Sequence, residues 1–196
     1  MGKEKDDEIV LVVPRDIVVP RPWYGIKSDG IEGFERLVRE NMQLKRRGDI
    51  EDDPRFKQII PYMVFKYENR FFLMQRTDRG GDERLHNLYS LGIGGHIREE
   101  DLAGGAITTW AGREFEEEID YNGSLKNRPL GLLNDDSNEV GKVHLGYVIL
   151  LDGNSDQIQI RDEHQSGSLQ TLGEMLKIRP NMETWSQLVY DFLKGK

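Results

Sequence analysis

The chain has 196 residues, a net charge of −8 and no cysteine. That length buries a full core in one domain. The negative charge excludes broad binding to nucleic acid or to an anionic membrane, because both need a basic surface. The missing cysteines exclude disulfides, thiolate metal sites and cysteine nucleophiles. No apolar run is long enough to cross a membrane. The charged start at residues 1–8 lacks the apolar core of a signal peptide, so the cytoplasm is the expected compartment.

In chain order, residues 1–8 read as disordered. The β-branched run 9–13, bounded by Pro14, reads as a strand, and residues 17–20 read as its extension after a bend. Pro20, Pro22 and Gly25 mark a loop. A helix is expected from Gly30 toward Leu44, carrying Ile31, Phe34, Leu37 and Val38. Residues 58–66 and 70–76 read as a hairpin around Glu68-Asn69, and residues 77–84 as a polar loop. Residues 88–93 are a further strand. Beyond the Asn122-Gly123 turn, residues 130–133 form a short strand and 142–151 an apolar central one. Residues 157–161 alternate as an outer strand. After a loop at 162–167, a helix is expected near 169–178. A last helix carries Trp185, Leu188, Val189, Phe192 and Leu193 on one face.

The most informative stretch joins Gly94-Gly95-His96-Ile97 to Arg113-Glu114-Phe115-Glu116-Glu117-Glu118-Ile119. A helix from about Ala103 to Ile119 places Glu114, Glu117 and Glu118 on one side. Ile107, Ala111, Phe115 and Ile119 then form an apolar stripe. Arg113, four residues before Glu117, reaches it as an ion pair. A lone acidic run usually only solvates a surface. Joined to a glycine turn, an apolar strand and a buried stripe, three crowded carboxylates instead suit a hard divalent cation, and Mg²⁺ combines such ligands with water and phosphate oxygens.

These residues resemble the signature of the Nudix (MutT-like) hydrolases: Gly, five residues, Glu, seven residues, then Arg-Glu-hydrophobic-any-Glu-Glu-any-Gly-hydrophobic. Arg113, Glu114, Phe115, Glu117 and Glu118 match the second half, with Tyr121 as the closing apolar residue. Asp120 stands where the pattern has its last glycine. The first half is longer than the pattern, which places an insertion within residues 98–104 and leaves Glu99, Glu100 and Asp101 as candidates for the early acid.

The resemblance implies a Nudix-type α/β/α sandwich with a mixed β-sheet, in which residues 1–55 form an N-terminal extension and 56–196 the hydrolase domain. It implies a Mg²⁺-dependent enzyme, with Mn²⁺ as a substitute, that cleaves phosphoric anhydrides. The substrate would be a nucleoside diphosphate linked to another moiety or a related organic pyrophosphate. Glu117 and Glu118 would be the main metal ligands, Glu114 would complete the group, the Gly95 carbonyl would be a backbone ligand, and Arg113 would orient Glu117. The family often takes its general base from a loop before the second helix, where Asp162, Glu163 and His164 stand; Glu163 is the residue of choice.

Arg76, Arg79 and Arg84 are candidate phosphate contacts. His96 is either a phosphate donor or a structural hydrogen-bonding group, and His144, inside the central strand, reads as a core or pocket-wall residue. No histidine pair shows the spacing of a zinc site. Trp23 reads as core or rim, or as a base-stacking ring. The leading region serves as a substrate lid, a homodimer arm or packing. Two rival functions share the fold: a nucleotide sensor without turnover, and an isopentenyl diphosphate isomerase, which calls for an active-site cysteine that this chain lacks.

Overall fold

The computed structural model describes residues 3–76, 87–103, 105–161 and 164–195. In chain order the strands are β1 (Ile9–Pro14), β2 (Gly25–Lys27), β3 (Gln43–Arg46), β4 (Phe56–Tyr67), β5 (Arg70–Arg76), β6 (Tyr89–Ser90), β7 (Ile93–Gly94), β8 (Ile119–Tyr121), β9 (Leu125–Asn134), β10 (His144–Gly153), β11 (Ile158–Ile160) and β12 (His164–Thr171). The helices are α1 (Lys3–Asp6), α2 (Arg15–Val18), α3 (Ile31–Asn41), α4 (Ile107–Trp110), α5 (Gly112–Glu118), α6 (Glu139–Val143), α7 (Leu172–Met175) and α8 (Thr184–Lys194). Ten of the strands belong to one large mixed sheet, and β8 pairs with β11 separately. The chain divides into two compact units that interleave in sequence.

The first unit comprises residues 1–62, 94–111 and 129–148. Its β1 is buried from Val10 to Val13. It pairs antiparallel with β3, Ile9 facing Arg46, and through Val12–Pro14 with the start of β4. Residues 17–20 do not extend β1. Pro14 has no N–H to continue the ladder, and the chain winds into α2, closed by Val19 N–H donating to the Arg15 carbonyl. The helix α3 starts at Gly30, whose φ of 83° suits a glycine. It buries Phe34 and Val38 and ends at Asn41 rather than Leu44, because residues 43–46 take their hydrogen bonds from β1 instead. Phe34 stacks on Tyr147, and the Tyr147 hydroxyl donates to Glu35 (2.9 Å). In α6, Asn138 caps the helix by accepting from Gly141 N–H (2.8 Å).

A cationic network lies in the same unit. The Lys57 side chain has no exposed surface. Its Nζ donates to Asp136 (2.8 Å) and to the carbonyls of Gly141 (2.7 Å) and His144 (3.1 Å). Arg15 donates to both Asp136 oxygens, at 3.1 and 2.6 Å. Burial pushes the Lys57 ammonium below its usual range, and Asp136 opposes that shift.

The second unit comprises residues 63–93, 112–128 and 149–196. The expected hairpin is present: Lys66 faces Phe71 and Tyr67 faces Arg70, with Glu68 in the turn at a φ of 53°. Residues 166–171 were expected as loop and helix, yet they form the body of β12, which pairs antiparallel with β5. Gly167 lies against the Phe72 ring, where a Cβ would collide with it. Only Leu172–Met175 of the expected 169–178 helix is α-helical, capped by Thr171 and Glu174. The last helix, α8, buries Ser186, Val189 and Tyr190; of the expected face Val189 is fully buried, and Trp185, Leu188, Phe192 and Leu193 are half-buried.

Candidate active site

The expected helix from Ala103 to Ile119 is two shorter ones, α4 and α5, with Ala111 between them. Gly105, at a φ of 88°, delays the start, and the paired β-branched Thr108 and Thr109 resist a longer helix. Ile107, Ala111, Phe115 and Ile119 are all buried as expected, but they lie on α4, the junction, α5 and β8 rather than on one helix face. The helix α5 stops at Glu118 because residues 119–121 pair with β11, and Arg161 N–H takes the Glu118 carbonyl (2.8 Å).

On α5 the Arg113 guanidinium holds two carboxylates at once. Its Nη1 lies 2.8 Å from Glu114 Oε1 and 2.9 Å from Glu117 Oε2. The Glu114 side chain is mostly covered, whereas that of Glu117 is 52% exposed. Glu118 is half-buried at the end of the same helix. Arg113 therefore offsets the repulsion between two acids that would otherwise drive each other apart. The donor set is all oxygen, it sits on two adjacent helical turns, and one member faces solvent with room for water. That chemistry fits Mg²⁺ or Mn²⁺ rather than a softer ion. Arg113 brings Glu114 and Glu117 to one guanidinium, but among the described residues the three carboxylates of α5 do not form a group with ligand atoms within 4.8 Å of one another. Glu114, Glu117 and Glu118 would have to be drawn together to hold the ion.

Gly95 follows β7 in the first unit, half-buried. Its neighbour Gly94 packs so close to Tyr62 and Ile60 that a Cβ would approach them to 3.1 and 3.3 Å. Residues 99–102 form a single 3₁₀ turn, in which the Asp101 carboxylate accepts from Arg98 N–H (2.8 Å). Of the three candidates for the early acid, Asp101 thus has a local capping task, while Glu99 and Glu100 are exposed.

His96 has a partner that the sequence did not suggest. Its Nε2 lies 3.2 Å from Nε2 of His144. His144 Nδ1 lies 2.7 Å from the Val140 carbonyl, and Glu51 completes a cluster whose ligand atoms lie within 4.8 Å of one another. Burial holds the His96 imidazole well below its usual range, and Arg47 adds to that. Burial also lowers His144, partly opposed by the Val140 carbonyl.

Arg76, expected at a phosphate, donates instead to the buried carboxylate of Glu183. Glu183 also accepts from the Ser90 hydroxyl (3.1 Å), and Ser186 Oγ accepts from Leu91 N–H (2.9 Å), so these bonds tie the β6 segment to the start of α8. Arg79, Arg84, His86, Asp162 and Glu163 lie outside the described residues, and with them the expected general base. Trp23 donates to the Gly25 carbonyl (3.1 Å), a local bond within its own loop. Sequence reasoning missed Glu51, Glu183, Lys57 and Asp136 as partners. Only the three-dimensional pairing brings them to their positions.

No family model matches the chain. It is 39% identical to the Bacillus subtilis protein YmaB over 208 aligned positions, covering 99% of this chain and 100% of YmaB. It is 31% identical to Tm1382, provisionally described as a Nudix hydrolase, with a TM-score of 0.81 over 96% of this chain and 99% of that one. The Nudix domain of NrtR from Shewanella oneidensis, crystallised with ADP-ribose, shares the fold at 12% identity and a TM-score of 0.55, over 71% of this chain and 87% of that domain. The fold is that of the Nudix hydrolases, the mixed α/β class read from the sequence. The chain belongs to the Nudix (MutT-like) family. Among the described residues no helix is long and apolar enough to cross a membrane.

Proposed function

We propose that this chain is a Mg²⁺-dependent pyrophosphohydrolase, with Mn²⁺ able to substitute. It cleaves a diphosphate linkage in a nucleoside diphosphate joined to another group, or in a related organic pyrophosphate. The observation that carries this reading is the bridging of Glu114 and Glu117 by one guanidinium on α5, the arrangement expected of the family's metal helix. Arg113 is a positioning residue: it aligns the carboxylates and keeps the pair from splaying. Glu117, the exposed member, meets the substrate side of the site, and Glu118 adds a third carboxylate. When bound, Mg²⁺ would polarise phosphoryl oxygens and lower the pKa of a coordinated water.

The test is a turnover screen of nucleoside triphosphates, nucleotide sugars, ADP-ribose and dinucleoside polyphosphates with Mg²⁺ or Mn²⁺. ADP-ribose is included because the NrtR domain binds it. Metal-dependent hydrolysis of at least one of these supports the proposal. The second reading, a nucleotide sensor, is favoured by one observation: Asp120, in the slot where the family has glycine, is exposed on β8. Tight nucleotide binding without release of products would establish that reading and overturn the first.

A further inference from the structure

Three donors from distant parts of the first unit converge outside the acidic helix. Glu51 follows the 3₁₀ turn Arg47–Asp49, His96 follows the glycine pair, and His144 opens β10. The tautomer of His144 follows from its neighbour. A carbonyl can only accept, so Nδ1 carries the hydrogen that reaches Val140 and Nε2 carries the lone pair. That lone pair points at His96 Nε2, 3.2 Å away.

Two imidazole nitrogens at that separation either share a hydrogen or flank a cation. With a Zn–N bond near 2.0–2.1 Å, two nitrogens on a tetrahedral ion lie about 3.3 Å apart. The observed 3.2 Å is within about 0.1 Å of that value. A shared hydrogen involves the two rings alone, whereas a cation also takes Glu51, whose carboxylate is otherwise paired, among the described residues, only with Arg47 (3.3 Å).

The surroundings also match what metal sites need. A ligating histidine usually donates its other ring N–H to a carbonyl or carboxylate, as His144 does to Val140. Ligating carboxylates are themselves held by hydrogen bonds, and Arg47 Nε donates to Glu51 Oε2 (3.3 Å). Arg47 also pairs with Glu8 (3.2 Å), which reduces but does not remove the effect of its charge on His96. His144 is 7% exposed, while His96 and Glu51 are half-buried.

We propose that Glu51, His96 and His144 bind a transition-metal dication of the Zn²⁺ type through two imidazoles and one carboxylate. Such a donor set selects Zn²⁺, Co²⁺ or Ni²⁺ over Mg²⁺. The ion ties the Glu51 turn and the glycine turn to the first residue of β10. This reading is independent of the hydrolase proposal and uses none of the carboxylates of α5.

The full chain, stripped with a chelator and dialysed, is titrated with Zn²⁺ and with Co²⁺ in the presence of excess Mg²⁺. Metal content is measured by plasma mass spectrometry and Co²⁺ coordination by visible absorption. One equivalent of Zn²⁺ per chain and tetrahedral or five-coordinate Co²⁺ bands are expected. Losing an orienting partner alone weakens a site about 10–100-fold, so Glu51→Gln and His96→Asn should each weaken it by at least about 100-fold. Glu117→Gln should leave the bands in place. Both substitutions fall at half-buried positions, and circular dichroism of the stripped proteins checks that they fold. Three results overturn the proposal: no Zn²⁺ retained by the parent, unchanged affinity in folded Glu51→Gln and His96→Asn, or bands lost only on Glu117→Gln.

Discussion

Glu117→Gln separates function from stability more sharply than any other change on α5. The substitution keeps the shape of the side chain and removes its charge. Glu117 pairs with Arg113 at 2.9 Å, and its side chain is 52% exposed. An exposed i,i+4 ion pair contributes about 0.3–0.5 kcal/mol. Arg113 also keeps its 2.8 Å contact with Glu114, so no buried charge is stranded. The loss of stability should therefore stay within about 0.5 kcal/mol, a shift in the urea midpoint of roughly 0.2–0.5 M for a slope of 1–3 kcal/mol/M. The chemistry is affected on a larger scale. Metal stabilisation of a developing phosphate charge is worth several kcal/mol. Removing a charged ligand that supplies about 3–4 kcal/mol of it slows turnover roughly 10²–10³-fold. The assay measures phosphate products against Mg²⁺ concentration, beside urea unfolding of the same preparations. Equal rates in parent and variant would refute the reasoning. So would a loss of activity that merely follows a loss of folded protein.

Two further outcomes concern the first unit. Asp136→Ala leaves the buried Lys57 ammonium with two carbonyls and only the non-contacting Asp135 as counter-charge, which costs about 3 kcal/mol by urea unfolding at neutral pH, the low end for a broken buried pair because Asp136 is itself partly exposed and Asp135 remains. The same carboxyl sets an acid limit. Burial would raise it, but hydrogen bonds from Arg15, Lys57 and Asn134 outweigh burial and hold it far below the usual range. A folded pKa below the unfolded value of about 3.9 means that the unfolded chain binds the proton first. The contribution is complete above about pH 5 and is lost as pH falls from there toward the folded value, so Asp136→Asn should flatten the acid side of the stability profile below about pH 5. Gly141→Ala should cost about 1–3 kcal/mol or more, because its Cβ would overlap the Asp135 carbonyl oxygen. Its urea midpoint should fall even though alanine favours helices.

Features written in local spacing were legible. The Arg113–Glu117 ion pair follows from helical periodicity alone, whereas Ile107, Phe115 and Ile119 are buried as expected but on α4, α5 and β8 rather than on one helix. The hairpin at Glu68-Asn69 follows from two apolar runs about a short turn. The errors arose where pairing between distant segments overrode local propensity. Residues 43–46 look like the end of a helix but satisfy their backbone on β1. Residues 166–171 are polar enough to pass for a loop, yet they complete β12 against β5. Lys57 sits amid a strand whose sequence gives no hint that its ammonium is fully enclosed.

The same distinction explains why one cation-binding reading was available from the sequence and another was not. Glu114 lies three and four residues before Glu117 and Glu118, so a helix places them along one side. His96 and His144 are 48 residues apart and meet only because His96 follows the glycine pair and His144 opens β10 where α6 ends. Two donor sets of different chemistry then coexist in one chain. Oxygen-only carboxylates on α5 favour a strongly hydrated ion that keeps its waters, while the imidazole pair discriminates against that ion. Geometry and ligand type, not raw affinity, govern such selection. If both proposals hold, an excess of Mg²⁺ over transition metals would fill the first set without displacing a metal held by the second.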